Sequence, residues 1–265
     1  SAASDVYKRQ MLYNLCFWFI MFLLYSMIGY VAEIINLTIM TRKPVWNRGF
    51  LIGPYLPIYG IGCLFMVFFL NRYENDLIAL FILVAFFCTL LEYFTSLVME
   101  KLFKLRWWDY TDYKFNLNGR VCLLNSVLFG IGGIIVIKVL NPFLSWLVYL
   151  MPSTVTIWVG IILFLVFVID FIVSCYITNN LKINFSKYLH VDATAKIKKE
   201  VTQALKKNVL LTSRLLKAFP GVSSANKKFK DFLKLFQSTE KEFFLLKMGK
   251  KKNRDDYNTF KVHTK

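Results

Sequence analysis

Five long apolar segments occupy most of the first 177 residues of the chain. They lie at 15–35, 50–70, 77–99, 121–140 and 155–177. Each reaches the roughly 20 residues that a helix needs to cross the hydrocarbon core of a bilayer. The chain is 57% hydrophobic and only 18% charged, which is too apolar for a water-soluble domain of 265 residues. The sequence therefore predicts an all-α, polytopic membrane protein with five transmembrane helices.

Three of these segments each contain one carboxylate: Glu33, Glu92 and Asp170. Because a charge near the middle of a bilayer costs about 3 kcal/mol or more, each of these side chains is expected to face protein or water. At a rise of 1.5 Å per residue, each lies roughly 12 to 14 Å from the predicted cytoplasmic end of its helix. We therefore predict that the three carboxylates share one membrane level, together with Asn125 of the fourth segment.

Two roles are open for this level. Glu92 and Asp170 each begin a row of polar side chains at four-residue spacing that leads toward the cytoplasm. Such a row is typical of a path for a substrate, an ion or protons. Alternatively, Glu33 and Glu92 pair with Arg48 and Arg120 and only hold the bundle together, since a buried charge needs a partner.

The second segment is the least regular, because Pro54 and Pro57 each remove a backbone donor close to Gly53. Irregular backbone at membrane depth is tolerated where it faces protein or lines a cavity, and such broken helices form substrate sites in transporters. In the alternative interpretation, Gly49 and Gly53 form a helical packing face and the prolines only kink the helix.

The orientation follows from the distribution of cations between the loops. The loops at 41–49 and 100–120 contain three and five Lys or Arg residues, whereas 71–76 has one and 141–154 has none. Cytoplasmic loops of membrane proteins are enriched in Lys and Arg. We therefore expect the N-terminus outside and the C-terminus in the cytoplasm.

The sequence suggests three parts: 1–10, 11–178 and 179–265. The first is polar, and we interpret it as a non-native N-terminal segment. The last has a net charge of +14, against +3 for the rest. Its apolar residues recur at helical spacing, so we predict two basic amphipathic helices that contact anionic lipid headgroups. Nucleic-acid binding is disfavoured because the tail carries no recognisable motif.

Three stretches resemble one family. LEYFTSLVMEKLFKLRWWDYTDYKFNLNGRVCLLNSVLFGIGG at 91–133, YSMIGYVAE at 25–33 and RGFLIGPYLPIYGIG at 48–62 are similar to the CmpB-like type IV ABC-transporter permease family of bacteria. The resemblance implies a multi-pass plasma-membrane protein with permease activity. It also gives weight to the matching residues, which are Glu33, Glu92, Asp109, Asn118 and Arg120.

An ABC-type mechanism would require a separate ATPase subunit, because the chain lacks the GxxxxGK[ST] motif. We therefore expect no enzyme activity from the chain alone. We also expect no cofactor or metal, since the five cysteines lie in apolar segments without a CxxC pair and His190 and His263 lie in the tail. The loop at 100–120 either docks a partner or braces the bundle. A membrane scaffold or regulator acting through this loop and the tail is the second functional hypothesis.

Overall fold

The computed structural model describes residues 2–42, 49–103 and 108–190. Nearly all of them are helical, in six helices: α1 (Ala2–Thr41), α2 (Pro57–Phe65), α3 (Leu77–Phe103), α4 (Leu123–Ile135), α5 (Asn141–Tyr149) and α6 (Ser153–His190). A π-helical turn at Met66–Leu70 and a 3-10 turn at Asn71–Tyr73 extend α2. A second π-helical turn at Val136–Leu140 joins α4 and α5 into one continuous helix.

Within the described ranges, four helices are long and apolar enough to cross a membrane: Ser4–Ile39, Leu77–Leu102, Leu123–Tyr149 and Ser153–Asn180. The helical membrane character predicted from the sequence is therefore confirmed. The fifth predicted span, 50–70, instead gives a shorter apolar helix at Pro57–Tyr73. By length and composition the described residues thus support four spans, and the predicted count of five is not confirmed.

The second segment is shortened because its first residues are not helical. Leu56 has extended backbone, and its N–H donates to the carbonyl of Ser26 in α1 at 3.0 Å. Pro57 follows as the first helical residue, a position where its missing N–H costs nothing. Gly49 has a φ of +112° and, like Gly53, lies before the helix. The hypothesis that these two glycines form a helical packing face is therefore wrong.

Two predicted helix ends are also wrong. The fourth helix continues to Tyr149, so the predicted loop at 141–154 shrinks to 150–152. The last helix continues past residue 177 to His190. In both cases the sequence becomes more polar, but the helix continues. The π-helical turn at Val136–Leu140 precedes Pro142 and accommodates it within a continuous helix.

The chain divides into two compact units, Ser1–Cys175 and Tyr176–Lys265. The second unit is described only as the end of α6, to residue 190. The predicted amphipathic helices of the basic tail lie outside the described residues. Whether the first ten residues are native is likewise a prediction that the structure leaves open, although α1 begins at Ala2.

A shared core joins the helices of the first unit. Met21 and Tyr25 of α1, Met66 beyond α2, Val84 of α3 and Ile137 beyond α4 all belong to one buried cluster. Close approach between helices depends on small residues, as is common in membrane bundles. The clearest examples are Gly29 of α1 against Tyr59 of α2, Gly133 of α4 against Val84, and Gly160 of α6 against Cys16 of α1.

Many large apolar side chains outside this core are exposed. Ile78 of α3, for example, is 76% exposed, and Ile169 of α6 is 62% exposed. Water-soluble monomers rarely expose continuous apolar surfaces of this extent. These faces therefore suit contact with lipid.

A small hairpin is the exception to the all-α prediction. Strand β1 (Asn116–Leu117) pairs antiparallel with β2 (Val121–Cys122). Asn118 and Gly119 between them have φ values of 53° and 65°, and the N–H of Arg120 donates to the carbonyl of Leu117 at 3.0 Å. An Asn-Gly pair favours a hairpin turn of this kind, because both residues tolerate a positive φ.

Candidate functional site

Each carboxylate predicted inside the membrane accepts a hydrogen bond from a tyrosine hydroxyl. The three tyrosines come from the irregular second segment and from the loop after α3. The pairs are Tyr59 with Glu33 at 2.9 Å, Tyr110 with Glu92 at 3.1 Å, and Tyr55 with Asp170 at 2.5 Å. A neutral hydroxyl donor stabilises a carboxylate without bringing a second charge into the membrane.

The Asp170 carboxylate is fully engaged with the segment that precedes α2. It accepts backbone N–H groups from Ile52 at 2.8 Å and Gly53 at 2.7 Å, in addition to the Tyr55 hydroxyl. Ser174, one turn later on α6, donates to it at 3.1 Å. Four donors thus surround one carboxylate. This geometry holds the irregular segment of Gly53 and Pro54 against α6.

The Glu92 carboxylate is engaged on one side only. Its side chain is 7% exposed, and Oε1 accepts the Tyr110 hydroxyl. Among the residues that the structure describes, Oε2 has no hydrogen-bond partner. The Asn125 side chain of α4 lies beside the carboxylate, and Glu33 of α1 interacts with it electrostatically. We call Glu33, Tyr59, Glu92, Tyr110 and Asn125 the Glu92 centre.

The contacts therefore divide the predicted level into two centres. Glu33, Glu92 and Asn125 come together in one, whereas Asp170 and Gly53 form the other. The second segment contributes to both, because Tyr55 and Tyr59 lie on either side of Pro57 and serve different carboxylates. The predicted break near Pro54 and Pro57 thus lies between the two centres.

Arg120 contacts α3, but not through the predicted ion pair with Glu92. Its Nη1 donates to Glu100 Oε2 at 2.6 Å and more weakly to Ser96 Oγ at 3.4 Å. Its guanidinium also lies over the ring of Tyr93, at 5.8 Å from the ring centre. Arg120 therefore pairs with Glu100, and the proposed Glu92–Arg120 pair is wrong. Arg48, the other predicted partner, lies outside the described residues.

The loop after α3 is braced against that helix. The Nε1 of Trp108 donates to the carbonyl of Arg120 at 3.0 Å, and the N–H of Tyr110 donates to the carbonyl of Gly119 at 2.8 Å. The Asn118 amide reaches the Tyr93 hydroxyl at 3.1 Å.

Asp109 makes a local turn in this loop, because its carboxylate accepts both the N–H and the hydroxyl of Thr111. Together with the preceding contacts, this turn fixes the position from which Tyr110 reaches Glu92.

Tyr110 remains a donor over the physiological pH range. Burial raises the pKa of its phenol well above the ordinary value, and the neighbouring Glu92 carboxylate raises it further. The hydroxyl is therefore neutral whenever the protein is folded near neutral pH. Near neutral pH, a change of protonation at the Tyr110–Glu92 hydrogen bond can therefore come only from Glu92.

The three tyrosines were missed by the sequence prediction. Tyrosine in an apolar segment is usually interpreted as an interfacial anchor. A signal was nevertheless present, because Tyr55 and Tyr59 flank a proline break inside a predicted span. Tyr110 had no comparable signal, since its loop is distant in sequence from Glu92.

The fold and the two centres define a class: a helical, multi-pass membrane protein with carboxylates held inside the bundle by tyrosine hydroxyls. Residues 20–175, which cover this whole bundle after the first turns of α1, match the family described as "Putative ABC-transporter type IV". The match spans more than half of the chain, and the chain belongs to this family. The family resemblance predicted from the sequence is therefore confirmed. Comparison with curated proteins and with solved structures gave no significant match.

Proposed function

We propose that this protein is the membrane component of an ABC-type transporter, either a permease or a substrate-binding membrane subunit. It resides in the bacterial plasma membrane with its C-terminus in the cytoplasm. The helix at Pro57–Tyr73 is a fifth membrane-embedded element, held at Leu56 by α1 and near Gly53 by α6. The family assignment and the lipid-suited helix faces support this proposal.

One observation carries the location of the site. Glu92 is deeply buried in a membrane helix, and its Oε2 has no partner among the described residues. A fully satisfied carboxylate such as Asp170 suits a structural role, whereas an unsatisfied one marks a place where a ligand or a proton completes the site. The Glu92 centre is therefore the proposed polar site.

Energy for transport would come from a separate ATPase, because the chain itself lacks a nucleotide-binding loop. The hairpin after α3 is the proposed docking surface. Phe115 is 79% exposed with a φ of +55°, and Leu117 is 58% exposed. A bulky residue is uncommon in this backbone region, and because the Phe115 ring is exposed, packing with the described residues offsets little of the strain. Burial against a partner would compensate for it.

The test is affinity purification from mild detergent. An ATPase subunit should copurify with the wild-type protein, and its recovery should fall several-fold in the Phe115→Ser and Leu117→Ser variants. Asp112→Ser is the matched control, because Asp112 is exposed in the same loop but carries no apolar surface. Purification of the intact protein without any ATPase, or equal recovery from all variants, would contradict the docking proposal.

A scaffold or regulatory role is the second candidate. It is favoured by the internal bracing of the loop through Trp108 and Asn118, and by the net charge of +14 on the tail. In that case the tail would bind anionic vesicles, and no ATPase would be recovered under conditions that preserve other ABC complexes. Nucleic acid would not compete for that binding.

A further inference from the structure

The occupant that completes the Glu92 centre can be inferred from the size and polarity of its surroundings. The Glu92 side chain is more than nine-tenths buried, and Oε2 is an unmatched acceptor at a depth where water is scarce. An ionised carboxylate with one oxygen unsatisfied in an apolar medium is strongly disfavoured. The site therefore requires either a cation or a donor at Oε2.

The groups that face Glu92 supply neither a cation nor a hydrogen-bond donor at Oε2. Tyr110 from the loop donates to Oε1, and the Asn125 amide of α4 lies close to the carboxylate but makes no hydrogen bond to Oε2 by distance and angle. Glu33 of α1 adds a second carboxylate, and Cys88 lies one turn earlier on α3. Tyr59 of α2, which interacts with Tyr110, donates to Glu33.

Arg120, which contacts α3 at Ser96 and Glu100, is also committed elsewhere. Arg120 pairs with Glu100, two turns from Glu92. Glu33, in contrast, accepts a hydrogen bond from the Tyr59 hydroxyl and makes at least one further interaction. Of the two carboxylates, Glu92 is thus the one that is less completely stabilised as an anion.

We propose that Glu92 binds a proton on Oε2 at neutral pH, which removes the negative charge of Glu92 from the neighbourhood of Glu33. Two carboxylates that share a site of low polarity cannot both ionise easily. The proton turns Oε2 from an unmatched acceptor into a donor, and Glu33 and Asn125 both offer acceptor oxygens. Oε1 keeps the hydrogen bond from Tyr110. This inference rests on the proposed function only for the location of the site.

Proton binding would couple the site to hydration. When a conformational change admits water to Oε2, solvation favours the anion, and Glu92 releases its proton to that water. When the site closes, the carboxylate takes a proton back. The Glu92 centre would then be a proton-binding site whose occupancy depends on whether water reaches Oε2.

Infrared spectroscopy of the purified protein in lipid nanodiscs tests the proposal. An ordinary glutamate has a pKa of about 4.3 and is almost wholly ionised at pH 7. A carbonyl stretch from a protonated carboxyl group at that pH is therefore diagnostic. We expect this band in the wild-type protein and its loss in Glu92→Gln, which should melt at the wild-type temperature because it keeps the neutral form.

Two variants serve as matched controls. Glu100→Gln should retain the band, because Glu100 forms a salt bridge with Arg120 and does not contact Oε2 of Glu92. Asp112→Asn should also retain it, because Asp112 is exposed in the loop after α3. Labelling of glutamate carboxyl groups with carbon-13 should shift the band in the unmodified protein, which requires no variant.

Absence of the band in the wild-type protein, or a band that Glu92→Gln leaves unchanged, would overturn the proposal. These outcomes are independent of the purification experiment. Recovery of an ATPase without the band would leave the transporter assignment intact and refute proton binding. Observation of the band without recovery of an ATPase would support proton binding and contradict the transporter assignment.

Discussion

The hydroxyl of Tyr110 donates to Oε1 of Glu92 across 3.1 Å, and this contact joins the loop after α3 to the interior of α3 itself. It is the only hydrogen bond to the Glu92 carboxylate that the described residues make with clear geometry. The loop therefore does more than connect two spans. It carries a side chain back into the polar centre, so a partner that moves the loop also moves the donor of Glu92.

Replacing Tyr110 with Phe should destabilise the protein. The change removes the donor at Oε1 and leaves that buried oxygen unsatisfied, which costs on the order of 1 to 3 kcal/mol. A lower melting temperature in detergent would show this. Tyr113→Phe is the control, because the Tyr113 hydroxyl makes no side-chain hydrogen bond within the described ranges. Equal melting temperatures for the two variants would contradict the role of Tyr110.

Asp170→Asn should be more destabilising than Tyr55→Phe. Asparagine keeps only one acceptor oxygen, so its NH2 group would face either the Ile52 or the Gly53 backbone N–H, whereas Tyr55→Phe removes only one donor. Hydrogen bonds to a charged group contribute about 1.5 to 3 kcal/mol each. Thermal melting and protease digestion near residue 52 would measure the effect. Asp112→Asn in the exposed loop should behave as wild type, and a wild-type melting temperature for Asp170→Asn would refute the anchoring role.

Gly29→Ala should separate α1 from α2. A Cβ at Gly29 would lie 2.3 Å from Cγ of Tyr59, a contact that forces one helix or the ring to move. Overpacking of this kind costs about 1 to 3 kcal/mol, and here it would also displace the Tyr59 donor from Glu33. Gly132→Ala is the matched control, since a Cβ there would meet nothing within 4 Å. A similar loss of thermal stability in both variants would show that the effect is not one of packing.

The orientation can be measured by cysteine labelling in intact cells, with the five native cysteines replaced. Asn75→Cys, in the loop with one cation, should react with a membrane-impermeant reagent. Asp112→Cys, in the loop with five, should react only after the cells are opened. Both positions are exposed in the structure, so a lack of labelling reports sidedness and not burial. External labelling of Asp112→Cys would reverse the proposed topology.

The sequence alone was sufficient for the membrane class, the helical character and the family. Apolar runs of about 20 residues and the WWDY and NLNGR motifs are local features, and no long-range contact alters them. The Asn118–Gly119 turn was predictable for the same reason. The start of the second helix was harder to predict from the sequence. Pro57 can either interrupt a helix or begin one, and only the hydrogen bond between Leu56 and Ser26 shows that it begins one here.

The arrangement of the polar groups was decided by the tertiary structure. Helical rise indicated a common depth for Glu33, Glu92 and Asp170, but depth does not determine which way a side chain faces. The rotation of each helix about its axis depends on close packing such as Gly29 against Tyr59. That packing separates Asp170 from Glu92 and brings the tyrosines to the carboxylates. Charge and spacing predicted which residues needed partners, whereas the three-dimensional packing of the helices determined which partners they obtained.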